Sequence, residues 1–183
     1  DIHYHDARSA TRRFARVDEL YGGAGRDRPL RLAARGRLEP DLAYSLTIEG
    51  GPLWLLLDDA EAWPFTFDAK TRGARLHARG ALDARRRTAR FQVEADAEDL
   101  APIERLVGAT LPPVGSAAVH GMVAIDADSV RVSSLHGWLG GSELSGQLAL
   151  DRGGARPRLS GALSAAALDL RPLLPAPPPT PGQ

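Results

Sequence analysis

From Leu30 onward the chain alternates apolar and polar residues with a period of two. That spacing places successive side chains on opposite faces of a strand and marks half-buried β-structure. Leu30, Leu32, Ala34, Gly36 and Leu38 alternate with Arg31, Ala33, Arg35 and Arg37. After Glu39-Pro40-Asp41 the pattern returns as Leu42, Tyr44, Leu46 and Ile48. A three-residue loop centred on Pro40 pairs Leu38 with Leu42 and Gly36 with Tyr44, so that an aromatic ring covers a glycine.

A second hairpin joins Leu76, Ala78, Gly80 and Leu82 to Ala89, Phe91, Val93 and Ala95 through Arg85-Arg86-Arg87. A third joins Val119, Gly121, Val123 and Ile125 to Val130 and Val132 through Asp126-Ala127-Asp128-Ser129. A fourth sets Leu144, Gly146, Leu148 and Leu150 against Leu159, Gly161 and Leu163. Pro157 cannot donate to a ladder, so a four-residue loop over Arg152 to Ala155 is preferred to a two-residue turn. That loop sets Asp151 opposite Arg156 and Leu148 opposite Leu159. The corner from Leu139 to Ser142 needs an odd loop if Val130, Val132, Leu144 and Leu148 are to share a face. Gly140-Gly141 can supply the left-handed residue of a bulge there.

Ahead of these hairpins, residues 1–29 offer an edge strand at Ile2 to Tyr4 and another near Phe14 to Leu20, which Gly22-Gly23-Ala24-Gly25 interrupts. Short helices are expected at Leu53 to Ala62, at Glu98 to Gly108, where Pro102 suits a first turn, and at Ala166 to Leu174. No helix–strand alternation suggests a βαβ series. The expectation is an all-β antiparallel meander of hairpins forming a curved, groove-like sheet with a few short helices.

Two regularities recur. Arg31 to Leu38 (RLAARGRL) and Arg75 to Leu82 (RLHARGAL) agree in register, and Arg158 to Leu163 (RLSGAL) echoes them. A mid-strand glycine also falls on the apolar parity at Gly36, Gly80, Gly121, Gly146 and Gly161. Each costs about 0.5–1 kcal/mol. Strand coiling or close packing is one use for them, and room for a ligand chain is another.

Composition narrows the function. The 183 residues are 43% hydrophobic with a formal net charge of zero. That balance gives no electrostatic case for nucleic acid as a partner or for an anionic membrane surface. Lys70 is the single lysine, and no cysteine is available for disulfide or thiolate chemistry. The apolar run Leu53 to Leu57 is far below the ~18 residues of a membrane span. Residues 175–183 read as a proline-rich linker, and both ends are expected to continue in a longer chain.

Candidate chemistry is thin. His3-Tyr4-His5 has the spacing of two ligands on one strand face, but no further cluster accompanies it, and no metal or cofactor is expected. Asp126-Ala127-Asp128-Ser129 lacks the glycine and terminal glutamate of a calcium loop and reads as a turn. Gly141-Ser142 and Gly115-Ser116 do not fit a nucleophile elbow. Arg85 to Arg90 reads as a solvated hairpin. With no acid–base pair in an apolar setting, the sequence points away from catalysis.

Particular residues resemble the C-terminal core of the AsmA family. They are Leu135-His-Gly-Trp-Leu-Gly-Gly-Ser-Glu-Leu-Ser-Gly-Gln-Leu-Ala-Leu-Asp, then Ala155-Arg-Pro-Arg-Leu-Ser-Gly-Ala-Leu-Ser, then Leu168-Asp-Leu-Arg-Pro-Leu-Leu. Gly51-Pro52-Leu53 with Leu55-Leu56-Leu57, and Asp99-Leu100 to Leu111-Pro112, resemble further family segments. The resemblance covers about residues 28–175. It implies a periplasmic, inner-membrane-anchored protein of the Gram-negative envelope. Such a protein serves outer-membrane biogenesis, with a repeating β-groove that carries phospholipid. The membrane helix of that family is absent from this sequence.

On this reading residues 30–174 form the groove domain, and its partners are phospholipid acyl chains and the rest of the same longer chain. The inner membrane is reached through a segment outside the sequence. The binding residues expected on the apolar parity are Leu46, Ile48, Phe91, Val93, Val123, Val132, Leu148 and Leu159. A structural or interaction module with a closed core is the competing expectation. The two differ in whether the apolar face is open or sealed.

Overall fold

A computed structural model describes residues 2–5, 12–38, 42–57, 62–99, 115–154 and 156–165. They form one eleven-stranded sheet in which every strand pairs antiparallel with its sequence neighbours, in the order β1 to β11. The strands are β1 (Ile2–His5), β2 (Arg12–Gly23), β3 (Pro29–Leu38), β4 (Leu42–Pro52), β5 (Trp63–Thr71), β6 (Ala74–Asp83), β7 (Thr88–Ala97), β8 (Ala117–Ile125), β9 (Ser129–Leu139), β10 (Ser142–Asp151) and β11 (Arg158–Ala165). The sheet is an open meander, and its two edges are β1 and β11. Among the described residues no helix is long and apolar enough to cross a membrane.

The expected hairpin registers hold for β3–β4, where Gly36 faces Tyr44 and Leu38 faces Leu42. The β6–β7 and β8–β9 hairpins form from the expected strands, with Gly80 facing Phe91 and Ile125 facing Val130. The turn at Asp126 closes with its N–H donating to the Ser129 carbonyl at 2.8 Å. The related segments RLAARGRL and RLHARGAL lie in β3 and β6, each with an aromatic residue paired to its glycine on the following strand.

Four expectations need correction. First, β10–β11 pairs Leu150 with Leu159, Leu148 with Gly161 and Asp151 with Arg158. The connection therefore runs from Arg152 to Pro157, and Leu148 does not face Leu159. The proline is accommodated by lengthening the loop until it leaves the ladder, a two-residue slip that preserves facing.

Second, the β9–β10 loop is the even, two-residue Gly140-Gly141, with φ of 57° and 84°. Parity is corrected inside β9 instead. Val132 pairs with Leu148 and Leu135 with Gly146, leaving Ser133 and Ser134 opposite Gln147. Ser134 adopts φ 51° at this bulge, which switches the apolar phase from Val130 and Val132 to Leu135, Gly137 and Leu139.

Third, Trp63–Thr71 is a full strand where only a helix had been expected nearby. Of the helix expected at Leu53 to Ala62, Leu53–Leu56 forms a 3-10 turn, and residues 58–61 lie outside the described residues. Fourth, β2 runs through Gly22-Gly23 and lies between β1 and β3. A bulge at Asp18 puts Val17, Leu20 and Gly22 on one parity, so the glycines continue the strand. The helices expected over Glu98 to Gly108 and Ala166 to Leu174, and the proline-rich segment 175–183, lie outside the described residues apart from Glu98 and Asp99. Glu98 forms a bend tied to Gly73, whose carbonyl accepts from the Glu98 N–H at 2.8 Å.

Candidate functional site

The pairing registers align one parity of every strand from β2 to β11 on a single face. One cross-strand row runs Gly50, Phe65, Gly80, Phe91, Val123, Val132, Leu148, Gly161. The next runs Ile48, Phe67, Ala78, Val93, Gly121. All eight residues expected from sequence, Leu46, Ile48, Phe91, Val93, Val123, Val132, Leu148 and Leu159, sit on this face. From Val17 of β2 to Ala165 of β11 no charged residue shares this parity among the described residues. Its polar members are hydroxyls such as Tyr44, Thr71 and Ser142.

The opposite face is polar and solvated. It carries the exposed ion pairs Arg31–Glu49 at 3.7 Å and Arg75–Asp96 at 3.4 Å, and a hydrogen bond between His77 Nδ1 and Asp68 Oδ1 at 2.9 Å. Such exposed pairs each contribute at most about 1 kcal/mol. The same face carries His120 stacked on His136 at 5.2 Å, with His136 Nε2 lying 2.9 Å from Glu143 Oε1. No group of three potential metal ligands forms among the described residues.

Among the described residues the apolar face is open. Substantial contacts between elements run only along ladder neighbours and to the 3-10 turn, so no second layer lies over the sheet among the described residues. Among the described residues only Ala34, Leu55, Trp63, Ala78 and Ala97 are buried apolar residues, and no large side chain is fully enclosed. A sealed core of this width would bury most of its large apolar residues almost completely.

Part of the face deepens into an all-apolar hollow across β4 to β7, lined by Ile48, Trp63, Phe65, Phe67, Leu76, Ala78, Leu82, Ala89, Phe91 and Val93. Phe65 and Phe91 come from strands separated by β6, yet their rings meet edge-on at 5.8 Å across Gly80. A Cβ on Gly80 would strike the Arg90 carbonyl and the Phe91 backbone. The glycine therefore serves strand coiling and close approach, which narrows the hollow. Trp63 stacks on Phe65 at 6.4 Å and donates its indole N–H to the Gly51 carbonyl at 2.9 Å. The 3-10 turn stands at this end of β4 and β5 with Leu55 buried, and the Leu57 carbonyl accepts from Arg85 Nη2 at 2.9 Å.

Of the expected residues, Ile48, Phe91 and Val93 line the hollow. Val123, Val132 and Leu148 extend the Phe91 row toward β10. Leu46 sits beside Ala34 and Ala69 on β4, and Leu159 stands at the sheet edge, 71% exposed. The residues missed from the sequence are chiefly Trp63, Phe65 and Phe67. Their signal is plain in retrospect: W-P-F-T-F places three rings at alternate positions.

No protein-family model, curated protein or solved structure matches this chain.

Proposed function

We propose that this chain is a non-enzymatic β-groove segment that holds phospholipid acyl chains against its apolar face, as part of an AsmA-like protein of the Gram-negative envelope. The observation that carries the reading is the uncharged apolar parity, continuous from Val17 of β2 to β11 and, among the described residues, uncovered by a second layer. Acyl chains are the ligand chemistry such a surface suits, because binding needs only removal of apolar area from water. Each methylene buried contributes about 0.8 kcal/mol. A strand of about nine residues spans about 30 Å, which exceeds the length of an acyl chain. Headgroups stay at the solvated rim, where they keep their hydration.

The resemblance of Leu135 to Asp151 and of residues 155–164 to the AsmA core supplies the biological setting: a periplasmic location, an inner-membrane anchor elsewhere in the protein, and transfer of lipid toward the outer membrane. A single segment of this size lines part of a path.

The test is native mass spectrometry with lipid extraction on the purified chain. The wild type is expected to carry phospholipid. Val93→Arg, which places a guanidinium in the hollow, is expected to lose it, while Gln92→Arg on the polar face keeps it. Both variants should retain a β-sheet circular dichroism spectrum. A lipid-free, cooperatively folded wild type would overturn the reading and favour a structural module.

A further inference from the structure

Among the described residues the edge strand β11 is paired on one side only. Eight of its residues, Arg158 to Ala165, pair with β10, and every one of them is exposed. Among the described residues nothing else packs on it to any extent. Edge strands in soluble sheets carry charges, prolines or bulges that discourage pairing. From Leu159 to Ala165 this strand has none of these: the run is LSGALSA and its ladder is regular. Leu159 and Leu163 stand 71% and 56% exposed on the apolar parity.

We propose that β11 is a self-recognition strand: two copies of the chain pair antiparallel, β11 against β11, about a twofold axis through Gly161. The sequence of the strand is self-complementary in that arrangement. Leu159 falls opposite Leu163 of the second copy, Gly161 opposite Gly161, and Ser160 opposite Ala162. Both exposed leucines are thereby matched at once, and the apolar faces of the two sheets run on as one surface. A two-residue slip leaves a leucine unmatched, and a one-residue slip sets leucine against the polar parity. An isologous contact of this kind closes at the dimer and does not propagate. An eight-residue ladder is small beside the ~800 Å² per partner of a stable interface, so the pairing is weak and concentration-dependent. The inference stands apart from the lipid reading, because it rests on the edge and not on the hollow.

The experiment is analytical ultracentrifugation of the full chain over a concentration series. The weight-average mass should rise toward twice that of the monomer. Leu159→Lys with Leu163→Lys, and Leu159→Glu with Leu163→Glu, should each remain monomeric. Mixing the two variants should restore a dimer, because lysine then faces glutamate across the new ladder. The chain lacks cysteine, so Ser160→Cys with Ala162→Cys should cross-link covalently between copies on oxidation. The substituted leucines are exposed, so the sheet itself should be preserved by circular dichroism. A wild type that stays monomeric throughout overturns the proposal, as does a dimer indifferent to both charged variants. A monomer whose β11 amides are all protected from exchange also overturns it, since another stretch of the same chain would then occupy the edge.

Discussion

Val123→Lys separates an open apolar face from a sealed one by magnitude. Val123 is half-buried in the middle of the sheet, paired with Phe91 on β7 and Val132 on β9. Full burial of a valine is worth about 1.5–3 kcal/mol, so the half-burial here contributes about 1 kcal/mol. Exchange of a β-branched residue for lysine in a strand removes a further fraction of about 1 kcal/mol. The lysine stem recovers part of this by lying along Phe91 while its ammonium reaches water.

The expected loss is therefore about 1–2 kcal/mol, a fall in Tm of about 2–8 °C for a chain of this size. Under a second layer the same ammonium would be desolvated and unpaired, which costs several kcal/mol and approaches the whole stability of a domain. Urea unfolding followed by circular dichroism measures the difference, with Met122→Lys on the polar face as a reference expected to change stability by less than about 0.5 kcal/mol. A Val123→Lys chain that loses its cooperative transition, or that is destabilised by more than about 4 kcal/mol, would refute the open face.

Three further outcomes follow from local geometry. Gly80→Ala should destabilise by several kcal/mol in the same unfolding assay, because the methyl meets neighbouring backbone that cannot yield and pushes Phe91 from Phe65. Ser134→Gly should stabilise by about 0.5–1 kcal/mol by relieving the left-handed backbone at the β9 bulge, whereas Ser134→Val should destabilise. The Asp83 carboxylate accepts from the Arg86 N–H at 2.8 Å and from the Arg86 guanidinium at 3.0 Å, which holds its pKa below the ordinary 3.8. A depressed pKa gives stability that is present above 3.8 and lost as pH falls through the lower folded value. Asp83→Asn should therefore remove part of the acid-range loss, and an NMR titration of Asp83 should show a midpoint below 3.8.

Period-two alternation was enough to read the meander and the shared face, because each β-residue's facing depends only on its parity. It placed Ile48, Phe91 and Val93 together without any contact information. Registers were legible where a loop had one reasonable length, as around Pro40, and failed around Pro157, where a longer loop removes the proline from the ladder at no cost in facing. The bulge at Ser133-Ser134 hid the second half of β9, since it breaks the alternation that reveals strands. β5 was obscured by the neighbouring Leu53 to Leu57 run, which mimics a helix over four residues. The hollow depends on side chains meeting across strands far apart in sequence, and the glycines that permit it announce only that something must come close.

The most direct measurement uses the tryptophans as position markers. Trp63 faces the hollow and is 8% exposed, while Trp138 is 49% exposed on the polar face beside His136. Single-tryptophan chains retaining one or the other, with Trp54 and the remaining tryptophan replaced by phenylalanine, are titrated with phospholipid brominated along the acyl chain. Saturable quenching of Trp63 with Trp138 unaffected is the expected result. Equal quenching of both, or of neither, would contradict an acyl-binding groove on this face.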